Sequence, residues 1–309
     1  RVAYNPRPQP LCRSGTMIAN ANAGFLGSEV ENTPATQARF HIIPVPFERT
    51  TSYGGGTREG PGAILEASQQ LETWDGESNP SLLGIHTQAS VAVDGDVEAV
   101  MEAIAAATEA AVRAGALPVA IGGEHTVTCG VVRGLLRSGI GPFGVVQIDA
   151  HADLRDRYEG NPYSHASVMR RVVEDGVPLF QLGVRACCEE ELRARRDFGV
   201  GAIDARELVV GNRMSLELPA DFPEQVFFTV DVDGLDPSVF PSTGTPVPGG
   251  LGWYQTLALF ESVARQRRII GFDVMEFAPI PGFHAYEFAA AQLIYKFMGI
   301  CQRIEAEAV

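Results

Sequence analysis

The apolar residues of this chain follow two alternating patterns, short continuous runs and longer stretches of helical period. From Phe40 onward, six short runs rich in β-branched residues stand out. They are 41–45, 117–121, 143–148, 180–184, 226–230 and 269–274. A strand that is apolar at consecutive positions is covered on both faces, as in a parallel sheet. We therefore interpret these runs as the buried strands of one sheet.

Stretches of helical period separate these runs. Asp96 is a suitable N-cap for a helix whose apolar residues share one side, and Gly115 follows the end of that helix. Two more helices are predicted at 253–266 and 284–298, the second ended by Gly299. Alternation of strand and helix predicts an α/β fold, a three-layer α/β/α sandwich with helices on both faces of a mainly parallel sheet.

The first 38 residues follow neither pattern. Residues 1–38 are dense in Pro, Gly, Asn, Ser and Thr, which is typical of irregular structure. We interpret them as an irregular N-terminal extension. No internal repeat or linker divides the remainder, so residues 39–309 are predicted to form a single domain.

Composition narrows the class of protein. A chain of 309 residues that is 45% apolar can bury one large core, which excludes fibrous and disordered classes. The 24 basic and 38 acidic residues give a formal net charge of −14. This charge argues against nucleic acid as a ligand and suits a cationic small substrate.

Cysteine usage and hydropathy predict the location of the protein. The five cysteines form no CxxC motif, which argues against both a disulfide framework and a thiolate zinc site. The sequence shows neither an apolar run long enough to cross a membrane nor a signal peptide. We therefore expect a cytoplasmic protein that does not associate with membranes.

Four of the apolar runs end in acidic or imidazole side chains. These are Glu124 and His125 after the second run, Asp149, His151 and Asp153 after the third, Asp231 and Asp233 after the fifth, and Glu276 after the sixth. Open parallel sheets bind ligands beyond the carboxyl ends of their strands. Alternate residues of extended chain point the same way, so these side chains are expected to converge on one pocket.

A pocket with four aspartates needs cations or protons to offset the repulsion between carboxylates. Four carboxylates and two imidazoles, without thiolate, form a hard donor set that suits Mn²⁺ and can hold two ions with bridging carboxylates. Taken singly, each acid could instead be a helix cap and each histidine a core residue. The pattern as a whole predicts a two-metal site.

Several segments together resemble the ureohydrolase family, which includes arginase, agmatinase and related guanidino-acid hydrolases. They are GGEH at 122–125, DAHAD at 149–153, SHA at 164–166, and the segments 52–64, 231–251 and 273–279. Their order and spacing fit the family over residues 40–300. The segments 153–171 and 295–299 resemble bacterial and archaeal agmatinase-type members more than arginases.

The resemblance implies a catalytic domain with two Mn²⁺ per subunit in a trimer or hexamer. One ion would be bound by His125, Asp149, Asp153 and Asp231, and the other by Asp149, His151, Asp231 and Asp233. His165 matches the family's proton-shuttling histidine, and Glu276 matches the carboxylate that anchors the guanidinium. Glu124 replaces an aspartate common at this position, which is not a ligand.

The loop 154–163 is expected to face the far end of the substrate. Arginases bind the α-carboxylate of arginine here with an asparagine and a Ser/Thr-rich stretch, whereas this chain has Arg155 and acidic residues that include Asp156 and Glu159. We therefore expect agmatine to be hydrolysed to putrescine and urea. The alternatives are a guanidino acid such as 4-guanidinobutanoate with Arg155 as its partner, an amide hydrolase on the same scaffold, and a noncatalytic polyamine or guanidine sensor.

Overall fold

The computed structural model describes residues 24–307, which form one eight-stranded, fully parallel sheet. Its strands are β1 (Phe40–Val45), β2 (Ile85–Thr87), β3 (Leu117–Gly122), β4 (Gly144–Ile148), β5 (Leu179–Leu182), β6 (Gly201–Ile203), β7 (Gln225–Asp231) and β8 (Arg268–Met275). They are ordered β2-β1-β3-β8-β7-β4-β5-β6 across the sheet. The parallel sheet predicted from the continuous apolar runs is confirmed.

Helices cover both faces of the sheet. One face is packed by α1 (Gly60–Ser68), α6 (Ala205–Val210), α7 (Trp253–Gln266) and α8 (Ala285–Glu307). The other is packed by α2 (Val97–Arg113), α3 (Val127–Ser138), α4 (Val168–Glu174) and α5 (Glu189–Asp197). Successive strand residues enter opposite cores: Phe227 packs on the second face and Phe228 on the first. The predicted three-layer α/β/α architecture is therefore confirmed.

The two strands that the apolar pattern did not predict are the edges of the sheet. β2 and β6 each have three residues, and each pairs with a single neighbour. Three residues are too few to produce a recognisable run of apolar positions. Edge strands are also only partly covered, so their sequences need not be continuously apolar.

The helix ends were predicted with mixed success. Asp96 caps α2 as expected, because its carboxylate accepts a hydrogen bond from the Ala99 amide at 2.8 Å. The prediction that Gly299 ends the last helix is wrong, since α8 continues to Glu307. Gly299 is needed for packing: a Cβ there would lie 1.8 Å from Oδ2 of the buried Asp75.

The predicted extension is described only in part, because residues 1–23 lie outside the described residues. Residues 24–38 form turns, and Phe25 and Leu26 are buried against the domain. The Leu26 amide donates to the Ser68 hydroxyl at 3.0 Å. Among the helices of the described part, none combines the length and apolar character needed to cross a membrane.

Candidate metal centre and active site

The acidic and imidazole residues predicted from the sequence gather beyond the carboxyl ends of four adjacent central strands. They follow β3, β8, β7 and β4, which are consecutive in the sheet. A cavity of about 380 Å³ opens there, and its walls include His151, Asp153, Arg155, Tyr158 and His165. The place where these residues gather agrees with the rule that parallel sheets bind ligands at this edge.

Two glycines allow the chain to turn tightly from β3 toward His125. A Cβ on Gly122 would lie 1.8 Å from Sδ of Met275, and one on Gly123 would lie 1.8 Å from the carbonyl oxygen of Phe47. A side chain at Gly123 would overlap the backbone of Phe47, and one at Gly122 would displace the side chain of Met275. The Gly-Gly pair thus brings His125 directly under the ends of β7 and β4.

The first cluster surrounds Nδ1 of His125, a fully buried residue. This nitrogen lies 3.1 Å from Oδ2 of Asp149, 3.1 Å from Oδ2 of Asp153 and 3.5 Å from Oδ2 of Asp231. The other ring nitrogen, Nε2, lies 2.9 Å from Oγ1 of Thr229. The Thr229 contact occupies Nε2, so Nδ1 is the ring nitrogen that faces the three carboxylates.

The second cluster shares Asp149 with the first. Nδ1 of His151 lies 3.0 Å from Oδ2 of Asp233 and 3.6 Å from Oδ1 of Asp149. The two oxygens of Asp149 therefore face different clusters, Oδ2 toward His125 and Oδ1 toward His151. Ligand atoms of His125, Asp149 and Asp231 lie within 4.8 Å of one another, and so do those of Asp149, His151 and Asp233.

Without bound cations, the protein can offset the negative charge of this pocket only by keeping protons on its acidic and imidazole side chains. Burial raises the pKa of Asp153 to about 7, and repulsion from Asp149 adds to the effect. Burial also holds the pKa of Asp231 well above its usual range. Burial opposes the charge on His151, yet hydrogen bonds to Asp149 and Asp233 raise its pKa to about 12.

The donor set fits divalent cations. Nδ1 of His125 is buried and makes no good hydrogen bond within the described residues, although three carboxylate oxygens surround it. One proton cannot satisfy three acceptors, whereas a cation accepts a lone pair from every member of the cluster. Carboxylate and imidazole donors without thiolate are a hard set, as expected from the sequence.

Two site residues adopt the left-handed backbone region, which is uncommon outside glycine. Asp153 has φ of 53° and Glu276 has φ of 63°. Such conformations cost free energy and cluster at functional sites. The backbone turns at Glu276 so that its amide donates to the Gly123 carbonyl at 2.9 Å, and its Oε1 accepts from the His125 amide at 2.7 Å.

Glu276 is buried beside the first cluster. Burial raises the pKa of its carboxyl group well above the usual range, and repulsion from Glu124 contributes. An ionised Glu276 therefore needs a cationic partner. Because Oε1 is bound to the His125 amide, Oε2 is left for such a partner.

His165 begins a short 3-10 turn, His165–Ser167, at the wall of the cavity. Its ring and the ring of Tyr158 pack nearly at right angles, with the ring centroids 5.6 Å apart. Burial lowers the pKa of His165, which keeps the imidazole neutral at neutral pH.

The structure separates the three residues predicted for the substrate's far end. Arg155 lies in the cavity wall with its guanidinium 5.4 Å from the centre of the Tyr158 ring. Asp156 and Glu159 are exposed and are not among the lining residues. Asp156 instead contacts Arg171 at 3.4 Å and Arg157 at 3.6 Å.

A row of buried polar side chains beneath the site was missed by the sequence interpretation. It runs across the sheet in register and consists of Asp273, Thr229, Gln147 and Gln181. Gln147 Nε2 donates to Oδ2 of Asp149 at 2.7 Å, and Gln181 Nε2 donates to Oε1 of Gln147 at 2.6 Å. The sequence did contain a signal for this row, because each of its members is a polar residue inside an otherwise apolar strand.

Comparison with known proteins agrees with this geometry. A sequence model described as "Arginase family" matches residues 38–299. An N(1)-aminopropylagmatine ureohydrolase of Synechocystis sp. is 44% identical over 285 residues, which cover 89% of this chain and 92% of that protein. An agmatinase of Pyrococcus horikoshii is 33% identical over 282 residues, with coverage of 89% and 96%.

A solved structure shows the same fold. The crystal structure of agmatine ureohydrolase from Thermoplasma volcanium aligns with a TM-score of 0.81 and 28% identity, covering 93% of this chain and 97% of that one. The family match spans the strand ends that carry the six candidate metal ligands. The chain therefore belongs to the arginase family and is a ureohydrolase of the agmatinase type.

Proposed function

We propose that the chain releases urea from a guanidino amine with the help of two Mn²⁺, and that N(1)-aminopropylagmatine is a better substrate than agmatine. The observation that carries the choice of substrate is the 44% identity to an enzyme of that name, against 33% to the agmatinase. The formal net charge of −14 favours the approach of a cationic substrate.

The six ligands divide between two ions. His125, Asp149, Asp153 and Asp231 would hold one, and Asp149, His151, Asp231 and Asp233 the other. Two such ions activate a water molecule as a nucleophile at neutral pH and polarise the group that it attacks.

Glu276 orients the guanidinium. Its Oε2 pairs with the planar group through charge-assisted hydrogen bonds, and the cation in turn stabilises the ionised carboxylate in its buried position. The reacting carbon is thereby held next to the metal centre. Orientation of this kind lowers the barrier of the chemical step, because the entropy cost of bringing the reactants together is met when the substrate binds.

His165 moves the proton. Its neutral imidazole accepts a proton as water adds to the guanidinium carbon. It then donates that proton to the nitrogen of the substrate chain as the carbon–nitrogen bond breaks. The products are urea and the amine in its protonated form.

A guanidino acid such as 4-guanidinobutanoate is the second candidate. The observation that favours it is Arg155, which lies in the cavity wall and forms no ion pair with the described residues. A carboxylate on the substrate could pair with this guanidinium. The same charge would repel an ammonium group.

Steady-state measurement of urea release tests the proposal. We expect kcat/KM to fall in the order N(1)-aminopropylagmatine, agmatine, 4-guanidinobutanoate, with L-arginine slower than agmatine. A preference for 4-guanidinobutanoate that Arg155→Ala abolishes would replace the first candidate with the second. Absence of urea release from all four substrates in manganese-loaded protein would reject both.

A further inference from the structure

The imidazole of His165 is hydrogen-bonded to a threonine, and that threonine is hydrogen-bonded in turn to a glutamate. Nδ1 of His165 lies 3.1 Å from Oγ1 of Thr50, and the Thr50 hydroxyl lies 2.7 Å from Oε1 of Glu124. Thr50 is far away in the sequence, on the loop that follows β1. Three side chains thus form a continuous hydrogen-bonded series that ends at the cavity.

Glu124 is fully buried and is surrounded by donors. The backbone amide of Thr50 donates to Oε2 at 2.6 Å, and the Arg49 amide donates to the same oxygen. The hydroxyl of Thr126 donates to Oε1 at 2.7 Å. A backbone N–H group can only donate, so the Glu124 carboxylate acts as a hydrogen-bond acceptor.

The hydroxyl of Thr50 is left with one arrangement of its hydrogen bonds. Its proton is directed to Glu124, and one lone pair accepts the backbone amide of His165 at 3.1 Å. The second lone pair faces Nδ1 of His165 and can only accept a hydrogen bond. Nδ1 must therefore carry a proton to complete the set. The Ser164 hydroxyl lies farther from Nδ1, at 3.4 Å, so the Thr50 hydroxyl at 3.1 Å is the stronger partner of that nitrogen.

We propose that Thr50 and Glu124 are positioning residues that hold His165 in the tautomer protonated at Nδ1, so that Nε2 is the nitrogen that exchanges a proton with the substrate. The proposal rests on the proposed function of His165 as the proton shuttle. A neutral imidazole has one donor and one acceptor nitrogen, and the partner of one nitrogen decides the chemistry of the other.

The tautomer matters because only a nitrogen with a lone pair can accept a proton from attacking water. Without the Thr50 hydroxyl, both tautomers of His165 become accessible and the ring can rotate. A fraction of the molecules would then present a protonated Nε2 to the cavity and could not begin the reaction. We expect kcat to fall, with little effect on KM.

Nitrogen-15 NMR of His165 tests the proposal directly. The protein is loaded with diamagnetic Mg²⁺ in place of Mn²⁺, and the His165 signal is assigned by its absence in His165→Asn. Wild-type protein is expected to show the tautomer protonated at Nδ1, and Thr50→Val a mixture of tautomers. A wild-type signal with the proton on Nε2 overturns the proposal even if no Thr50 variant folds.

Kinetics with Mn²⁺ provide the second test. We expect Thr50→Val to lower kcat by roughly 10-fold, a small part of what a general acid contributes, with KM and metal content unchanged. Thr50→Ser keeps the hydroxyl and should restore most of kcat. The matched control is Thr51→Val, which removes a neighbouring hydroxyl that contacts Glu48 at 3.4 Å.

The outcomes separate this proposal from the one on which it rests. Wild-type kcat in His165→Asn means that His165 is not the proton shuttle, and the proposed mechanism fails with it. A slow His165→Asn enzyme together with a Thr50→Val enzyme of wild-type kcat overturns the positioning role alone.

Discussion

Gln147 of β4 and Thr229 of β7 lie directly opposite each other in the sheet, and each precedes a candidate metal ligand by two residues. Gln147 donates to Asp149, whereas Thr229 contacts the ring of His125 at 2.9 Å. Two neighbouring strands, β4 and β7, therefore each supply a side chain that orients one ligand of the first cluster. Partners of this kind fix the direction of a ligand's lone pair and its basicity.

This arrangement predicts that Gln147→Leu weakens metal binding without removing any ligand. Loss of the donor to Asp149 should lower the affinity for Mn²⁺ by about 10- to 100-fold. Calorimetric titration of metal-free protein with Mn²⁺ measures the change. Gln225→Leu, at the opposite end of β7, is the control. Equal affinities in all three proteins would mean that Gln147 only fills the core.

The sharing of Asp149 between the clusters predicts unequal effects of two aspartate variants. Asp149→Asn should lose both ions, whereas Asp153→Asn should keep the ion held by His151 and Asp233. Elemental analysis after dialysis measures the metal content per chain. Chelation should abolish urea release from the wild-type enzyme and Mn²⁺ should restore it. Full activity in verified metal-free protein would disprove the metal mechanism.

The proposed role of His165 predicts a defect in kcat alone. His165→Asn removes the proton carrier, so kcat should fall by about 10² to 10⁴, the usual contribution of a general acid. Metal content should remain that of the wild type, because His165 is in neither cluster. Steady-state kinetics with parallel metal analysis distinguish a catalytic loss from a loss of ions.

The charge of the pocket predicts how pH affects the metal-free protein. The pKa of Asp153 is about 7 in the folded chain and is near 3.8 when unperturbed. The folded state then binds more protons than the unfolded state between these values, so stability falls as pH rises through this window. Each group of this kind contributes at most about 1.4 kcal/mol per pH unit.

Asp153→Asn isolates this contribution. Denaturant unfolding of metal-free wild type and variant at pH 4 to 7 gives the difference in free energy of unfolding. The wild type should lose stability relative to the variant as pH rises. Binding of Mn²⁺ should show the opposite trend and strengthen with pH, because the ligands must release protons. Parallel stability curves for the two metal-free proteins would show that Asp153 retains an ordinary pKa.

The contact between Gly299 and Asp75 predicts a loss of stability in Gly299→Ala. The added methyl group would overlap a buried carboxylate that also binds Arg303 at 2.8 Å, and overpacking of this kind costs about 1–3 kcal/mol. The control is Gly62→Ala in α1, where an added Cβ would meet no atom within 4 Å outside its own stretch of helix. That variant should gain about 0.4–1 kcal/mol. Urea denaturation of both variants checks the contrast.

The sequence was informative where one physical rule dominates. Continuous apolar runs identified the six long strands, and the acids at their ends identified residues that gather in the candidate metal centre, because burial and charge leave few alternatives there. The short edge strands were missed because three residues carry no period. The helix containing Gly299 was ended too early, since local propensity cannot reveal the approach of Asp75, which is distant in sequence.

The cavity wall shows the same limit on what can be predicted from the sequence. Arg155, Asp156 and Glu159 lie within five residues of one another, yet only Arg155 lines the cavity. Charge alone could not separate them, because Asp156 is drawn to Arg171 and the backbone at Glu159 takes a left-handed turn with φ of 50°. The partners of His165 were equally hidden, since Thr50 is 115 residues away in the sequence.

The left-handed backbone at Asp153 and Glu276 has a consequence for protein engineering. The directions of these two carboxylates come from main-chain turns that most residues avoid, and not from the choice of side chain alone. Copying the side chains onto another parallel α/β scaffold would therefore misdirect both groups. A working transplant must carry the complete loops after β4 and β8, together with the neighbouring segments that hold them in shape.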